Sequence, residues 1–165
     1  MSHITPAFTP KSFLKTISII HFALVMGVSL FIIVMYLQSE NQNFSIDYME
    51  DSMIFVVPII AVVCILIANF LYTNMLKALT KKVTLKEKLS GFQTASLVKY
   101  ALLEAPAFLA IVAFINKGNQ YFLIISLILL GWLLVQKPSR DRIETDLQLE
   151  GKLKSEFQQE EKPLL

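Results

Sequence analysis

The chain has 165 residues, room for one domain, and 55% of them are hydrophobic, with a mean hydropathy of +0.57. Its net charge of +2 is too small to favour a nucleic-acid partner. The single cysteine, Cys64, excludes an intrachain disulfide and a cysteine-based metal site. The sequence shows no metal-ligand spacing, glycine-rich phosphate loop or nucleophile–base pair. We therefore predict a protein that is not an enzyme and has no catalytic residue, cofactor or metal.

Four apolar stretches follow one another along the chain, at about residues 17–37, 53–76, 95–115 and 121–136. A helix needs about 20 mostly apolar residues to cross roughly 30 Å of hydrocarbon. The first stretch is longer than the core of a signal peptide and ends without a small-residue cleavage site, which favours an uncleaved span. The pattern predicts an all-α integral membrane four-helix bundle at 17–137, with tails at 1–16 and 138–165.

The basic residues indicate how the spans are oriented. Two lie in the first tail, six in the segment 77–99 and six from Lys137 onward, whereas Lys117 is alone in the turn 116–120 and the segment 38–52 has none. Because lysine and arginine concentrate on the cytoplasmic side, we predict cytoplasmic N and C termini in a multi-pass protein of the inner (plasma) membrane. The short turn, with Gly118 as a left-handed residue, predicts that spans three and four form one of two antiparallel helical hairpins.

The polar segments carry weaker signals. Spans two and three are expected to continue into 77–99, making that loop partly helical, and the first ten residues are expected to be a loose tail. In the second tail an amphipathic helix on the bilayer or on a partner is predicted, and residues 158–165 are expected to be disordered. The apolar positions of that predicted helix are Ile143, Leu147, Leu149, Leu153 and Phe157.

Glu104 is the residue most suggestive of chemistry, because a carboxylate inside a span is costly and usually meets protein or water. We expect it to face the bundle interior near His21 or the Asn69/Thr73 face, as a proton or cation site. The alternative is that Glu104 reaches the headgroups with a basic partner such as Lys99. Helix kinks are predicted at two prolines inside the spans. These are Pro58 and Pro106.

Residues 93–108 and 137–139 read QTASLVKYALLEAPAF and KPS. They resemble a group of small bacterial inner-membrane proteins with four transmembrane helices, a resemblance that implies no known activity. Small residues spaced by four predict close helix contacts in the bundle, at Ala23/Gly27 and Ala101/Ala105.

Two functions follow from these features. The first is a non-enzymatic accessory or assembly factor that acts through helix contacts. The alternative is a small oligomeric transporter or channel that uses Glu104. The expected partners are the lipid bilayer and either a second copy or another membrane protein, with no nucleic acid.

Overall fold

The computed structural model describes residues 8–39, 43–46 and 51–164, and all regular elements in these ranges are helices. Four long helices come first and two short ones follow. Their bounds are α1 Pro10–Gln38, α2 Met53–Leu79, α3 Leu85–Lys117, α4 Gln120–Val135, α5 Arg140–Asp146 and α6 Gly151–Gln158.

The first helix begins earlier than the predicted span, since residues 10–16 of the expected tail are helical. Thr9 and Ser12 form a capping box, in which the Ser12 amide donates to Thr9 Oγ1 (3.1 Å) and the Thr9 amide donates to Ser12 Oγ (2.9 Å). Pro10 occupies the first helical position, where its missing N–H costs nothing. The loose tail expected for residues 1–10 therefore ends by Thr9, and residues 1–7 lie outside the described residues.

The segment 77–99 is almost wholly helical, more so than predicted. α2 continues to Leu79, and α3 begins at Leu85, ten residues before the predicted span, with Thr84 as its side-chain cap. At 1.5 Å per residue, the 33 residues of α3 extend over about 50 Å, well beyond the hydrocarbon thickness. Both prolines lie inside helices that continue through them, Pro58 in α2 and Pro106 in α3.

α3 is the central helix of the bundle and packs against α1, α2 and α4. It forms an antiparallel hairpin with α4 through Gly118, whose φ of 62° confirms the predicted left-handed residue. The second expected hairpin is not a closely packed pair. The backbones of α1 and α2 hardly approach each other, because α2 packs along α3 instead.

The two ends of the bundle are built from different parts of the chain. At one end the Asn43 amide donates to the Gly118 carbonyl oxygen (2.9 Å), joining the first loop to the α3–α4 turn. Lys117 pairs there with Asp51 (3.4 Å). At the other end the Leu164 amide donates to the Phe8 carbonyl oxygen (2.8 Å). We call these the lysine-poor end and the lysine-rich end.

Small residues do pack inside the bundle, but the predicted pairs do not. On α3 the inward side follows the helical spacing Leu103, Ala107, Ala110 and Phe114, all of them buried. Ala101 and Ala105 each precede a buried member of this series by two residues, about 200° around the helix, and both are exposed. Ala23 and Gly27 are exposed on α1 for the same reason, since His21, Val25 and Val28 define its buried side.

Three helices in the described part of the chain are each long and apolar enough to cross a membrane: α1, α2 and α3. α4 has 16 residues, about 24 Å of helix, and reaches the required length only together with α5, from which it is bent by 82°. The described residues thus include three such helices, or four with the bent pair, and the chain is a multi-pass membrane protein.

The tail after Pro138 folds back onto the lysine-rich end, where a surface helix and a disordered terminus were expected. Its apolar side chains pack against the lysine-rich ends of α1, α2 and α3, which extend beyond the predicted spans and need cover from water. Even Leu164, within the segment expected to be disordered, is buried. We call the resulting set the tail core: Phe13, Ile17, Tyr72, Leu85, Leu89, Phe92, Ala95, Ile143, Leu147, Leu149, Phe157 and Leu164.

A second set packs at mid-height among α1 to α4 and lies within the predicted spans. We call it the bilayer core: Val28, Ile32, Ala61, Ala107, Ile111 and Leu129.

Candidate functional site

Glu104 is partly buried on α3 between the exposed Ala101 and Ala105. No hydrogen bond or ion pair joins its carboxylate to any of the described residues, and Lys99 does not pair with it. The carboxylate therefore lies at the edge of the bundle instead of in its interior. A charge in this position within a span remains costly unless water, a headgroup or another protein meets it.

His21 lies inside the bundle, 5% exposed, where α1 meets α3 and α4. Its Nε2 is 3.0 Å from the Leu133 carbonyl oxygen, and its ring packs edge-on against Tyr100 with centroids 5.0 Å apart. Because a carbonyl oxygen only accepts, Nε2 carries the hydrogen in this contact. The side chain therefore ties α1 to α4.

Asn69 and Thr73 occupy the outer face of α2, where both are exposed. The Thr73 hydroxyl donates to the Asn69 carbonyl oxygen (2.8 Å), a contact within one helix. The structure therefore does not bring together the four residues expected to form one site. His21 is buried, Glu104 lies at the bundle edge, and the α2 pair faces away from both.

A different group of polar side chains forms at the lysine-rich end, between the long helices and α5. We call it the polar junction: Tyr72, Ser96, Lys99, Tyr100, Gln136, Arg142 and Asp146. The Tyr72 hydroxyl donates to Asp146 Oδ2 (2.6 Å), and an Arg142 guanidinium N–H donates to Gln136 Oε1 (2.6 Å). The Tyr100 hydroxyl donates to the Gln136 carbonyl oxygen (3.2 Å). These bonds join α5 to α2 and to Gln136 at the end of α4, and they join Gln136 to α3.

The polar junction holds two cations and one acid. Lys99 is 6% exposed, and its ammonium lies 4.5 Å from the centre of the Tyr72 ring, a cation–π contact. Arg142 Nε is 3.7 Å from Asp146 Oδ2. The group closes around a cavity of about 10 Å³, roughly the space of one water molecule. Ser96 Oγ lines this cavity and has no hydrogen-bond partner in the described part of the chain.

Sequence reasoning missed the polar junction because its members come from four helices and its acid lies in the tail. In the sequence, Lys99 is one of six basic residues in 77–99 and a possible partner for Glu104. Two signals in the sequence favour this place: Tyr72 and Tyr100 lie near the ends of two apolar stretches, and a lysine precedes the second of them. Among described residues, no three His, Cys, Asp or Glu side chains come close enough to hold a metal ion.

Comparisons with known proteins add no relative. No protein-family model matches the chain, and searches of curated proteins and of solved structures gave no match. The resemblance to small bacterial inner-membrane proteins therefore remains an expectation from residues 93–108 and 137–139.

Proposed function

We propose that this chain is a non-enzymatic protein of the inner membrane, with both termini in the cytoplasm, which acts as an accessory or assembly factor through helix contacts. The observation that supports the proposal is the outward position of its small-residue pairs. Ala23 and Gly27 on α1, and Ala101 and Ala105 on α3, are exposed in the bundle.

Such pairs favour association with another helix. Lipid tails are as apolar as protein side chains, so helices associate in a bilayer through close packing and hydrogen bonds. At Gly27 a Cβ atom would meet nothing within 4 Å, so the backbone is open to a close neighbour. On α3 the pair flanks Glu104, which has no partner among the described residues and whose carboxyl group offers a hydrogen bond to a partner helix.

Photo-crosslinking in the native membrane tests this proposal. A photoreactive residue at Gly27 or Ala101 should give a discrete protein adduct, whereas the same residue at Val63, an exposed apolar position of α2, should react with lipid alone. With the photoreactive residue at Gly27, Ala23→Leu should reduce the adduct, and with it at Ala101, Ala105→Leu should do so, in neither case with a loss of thermal stability. Identical products at all three positions, or lipid adducts only, would contradict a helix-contact function.

The second candidate is a small oligomeric transporter or channel, favoured by an ionisable group in a span without a partner among the described residues. It predicts that Glu104→Gln abolishes pH-dependent flux in proteoliposomes while the protein stays folded. His21→Gln is the matched comparison, because His21 is committed to Leu133 inside the bundle. Flux that is unchanged in Glu104→Gln, or absent from the unmodified protein, excludes this candidate.

A further inference from the structure

A surface groove lies between the lysine-rich end of α2 and α5, where the apolar run 53–76 ends. Its volume is about 330 Å³, and its walls include Thr73, Lys77 and Thr80 of α2 and Thr145 and Asp146 of α5. The groove is therefore at the depth of the lipid headgroups, if α2 crosses the bilayer along its apolar run.

The same face of α2 changes from apolar to polar at this depth. Leu66, Phe70, Thr73, Lys77 and Thr80 follow the helical spacing of three and four, and all are exposed. The first two are 63% and 66% exposed and lie on the side of the bilayer interior. A ligand that followed this face would need an apolar chain above and a polar head in the groove, as a membrane lipid has.

The groove contains one cation and one acid that are both available. Lys77 makes no ion pair with any described residue, so its ammonium can receive an anion such as a phosphate. Asp146 Oδ2 accepts from Tyr72 and lies near Arg142, whereas its Oδ1 has no partner in the part of the chain that the structure describes. The two charges suit a headgroup that carries both a phosphate and a cation.

The hydroxyl groups favour a cation that can donate hydrogen bonds. Thr73, Thr80 and Thr145 each donate their hydroxyl hydrogen to a carbonyl oxygen of their own helix, at 2.8 Å in every case. Their oxygens are left as acceptors, like Asp146 Oδ1. A primary ammonium provides three N–H donors, whereas a trimethylated ammonium provides none.

We propose that this groove binds a glycerophospholipid with a primary-amine headgroup, of the phosphatidylethanolamine class. Lys77 binds the phosphate, Asp146 and the threonine hydroxyls accept from the ammonium, and an acyl chain lies along Leu66 and Phe70. The site is separate from the outward small-residue pairs, so it does not depend on the proposed function.

Native mass spectrometry of the delipidated full-length protein tests the site with three lipids of identical acyl chains. Their headgroups carry a primary ammonium, a trimethylammonium or an uncharged glycerol. The primary-ammonium lipid should bind best. Lys77→Gln should lower the affinity for all three lipids by about fivefold, since each has the phosphate. Asp146→Asn should lower the affinity for the primary-ammonium lipid and leave the affinity for the glycerol lipid unchanged.

Matched controls separate the groove from general surface charge. Lys81→Gln and Asp141→Asn remove exposed charges that do not line the groove, and both should leave the affinities unchanged. Because Asp146 also holds Tyr72, a Thr73→Val/Thr145→Val double variant provides a test that keeps the acid. It should lower the preference for the primary ammonium. Equal affinity for the three lipids, or equal losses in the controls, would overturn the proposal.

Discussion

The bilayer core and the tail core are built from similar apolar side chains in different solvents. In the bilayer core, residues such as Ile111 and Leu129 leave lipid for protein, a transfer between two apolar media with little hydrophobic gain. In the tail core, Leu89 and Phe92 lie before the predicted third span and leave water, which contributes about 25 cal/mol per Å² of apolar area buried. A buried leucine should thus stabilise the fold more at the lysine-rich end than at mid-height.

The largest expected effect concerns which end of the bundle meets the cytoplasm, because this decides on which side of the membrane the tail core meets water. A reporter active only in the periplasm should be active when fused at Gly118 and silent at Lys86 and Ser155. A fusion at Asp47, outside the described residues, should also be active. The reason is the fourteen-to-one distribution of basic residues. Activity at Lys86 would reverse the assignment of the two ends.

The next effect compares two buried leucines directly. Leu89→Ala in the tail core should lower the free energy of unfolding by about 2–5 kcal/mol, as expected for a leucine buried from water. Leu129→Ala in the bilayer core should cost less, because only packing contacts are lost. Reversible unfolding in mixed micelles measures both. Equal losses would show that solvent does not distinguish the two cores.

The smallest expected effect lies at the outer edge of the tail core, where Lys11 Nζ is 2.8 Å from Glu161 Oε1. The hydrogen bond and charge of Lys11 lower the pKa of Glu161 below its ordinary value of 4.5. A depressed carboxyl pKa contributes stability above the unfolded value, and this contribution is lost as pH falls through the folded pKa. Because both groups are exposed, the loss should be slight.

Thermal unfolding between pH 3 and pH 6 measures this last contribution, with Glu161→Gln as the variant. The unmodified protein and the variant should converge at the acid end of the range. Glu156→Gln serves as the control, since Glu156 makes no ion pair with a described residue. A difference that grows as pH falls would contradict the assigned role of Lys11.

The positions of the apolar runs along the chain predict much of the bundle. A run of apolar residues long enough to cross hydrocarbon is a local property, and α1, α2 and α3 lie where such runs occur. The αL residue at Gly118 was also predictable, because it depends on one turn. The prediction was wrong about which side of α1 and of α3 faces the other helices. On an apolar helix every side is hydrophobic, so Ala101 and Ala107 cannot be told apart before the neighbours of α3 are known.

The tail and the polar junction depend on contacts between distant parts of the chain. Ile143 and Phe157 belong to an amphipathic pattern that suits a bilayer surface, a partner or the protein itself. The tail packs on the protein because the lysine-rich ends of α1 to α3 present apolar side chains that it can cover. The acid that meets Tyr72 lies 74 residues later. Glu104 stands out in the sequence because it is the one acidic residue in an apolar stretch, whereas Asp146 is one of several acids in a polar segment.

The hydrogen bond from the Leu164 amide to the Phe8 carbonyl oxygen joins two residues that lie 156 positions apart in the sequence. All four long helices are synthesised before α5 and α6, so Phe13 and Phe92 stay exposed to water until the tail has been made. The lysine-rich end can therefore close only after Leu164 has been synthesised, and contacts between residues so far apart in sequence form slowly. A nascent chain that stopped before α5 would have its four long helices and an apolar surface exposed to water at the lysine-rich end.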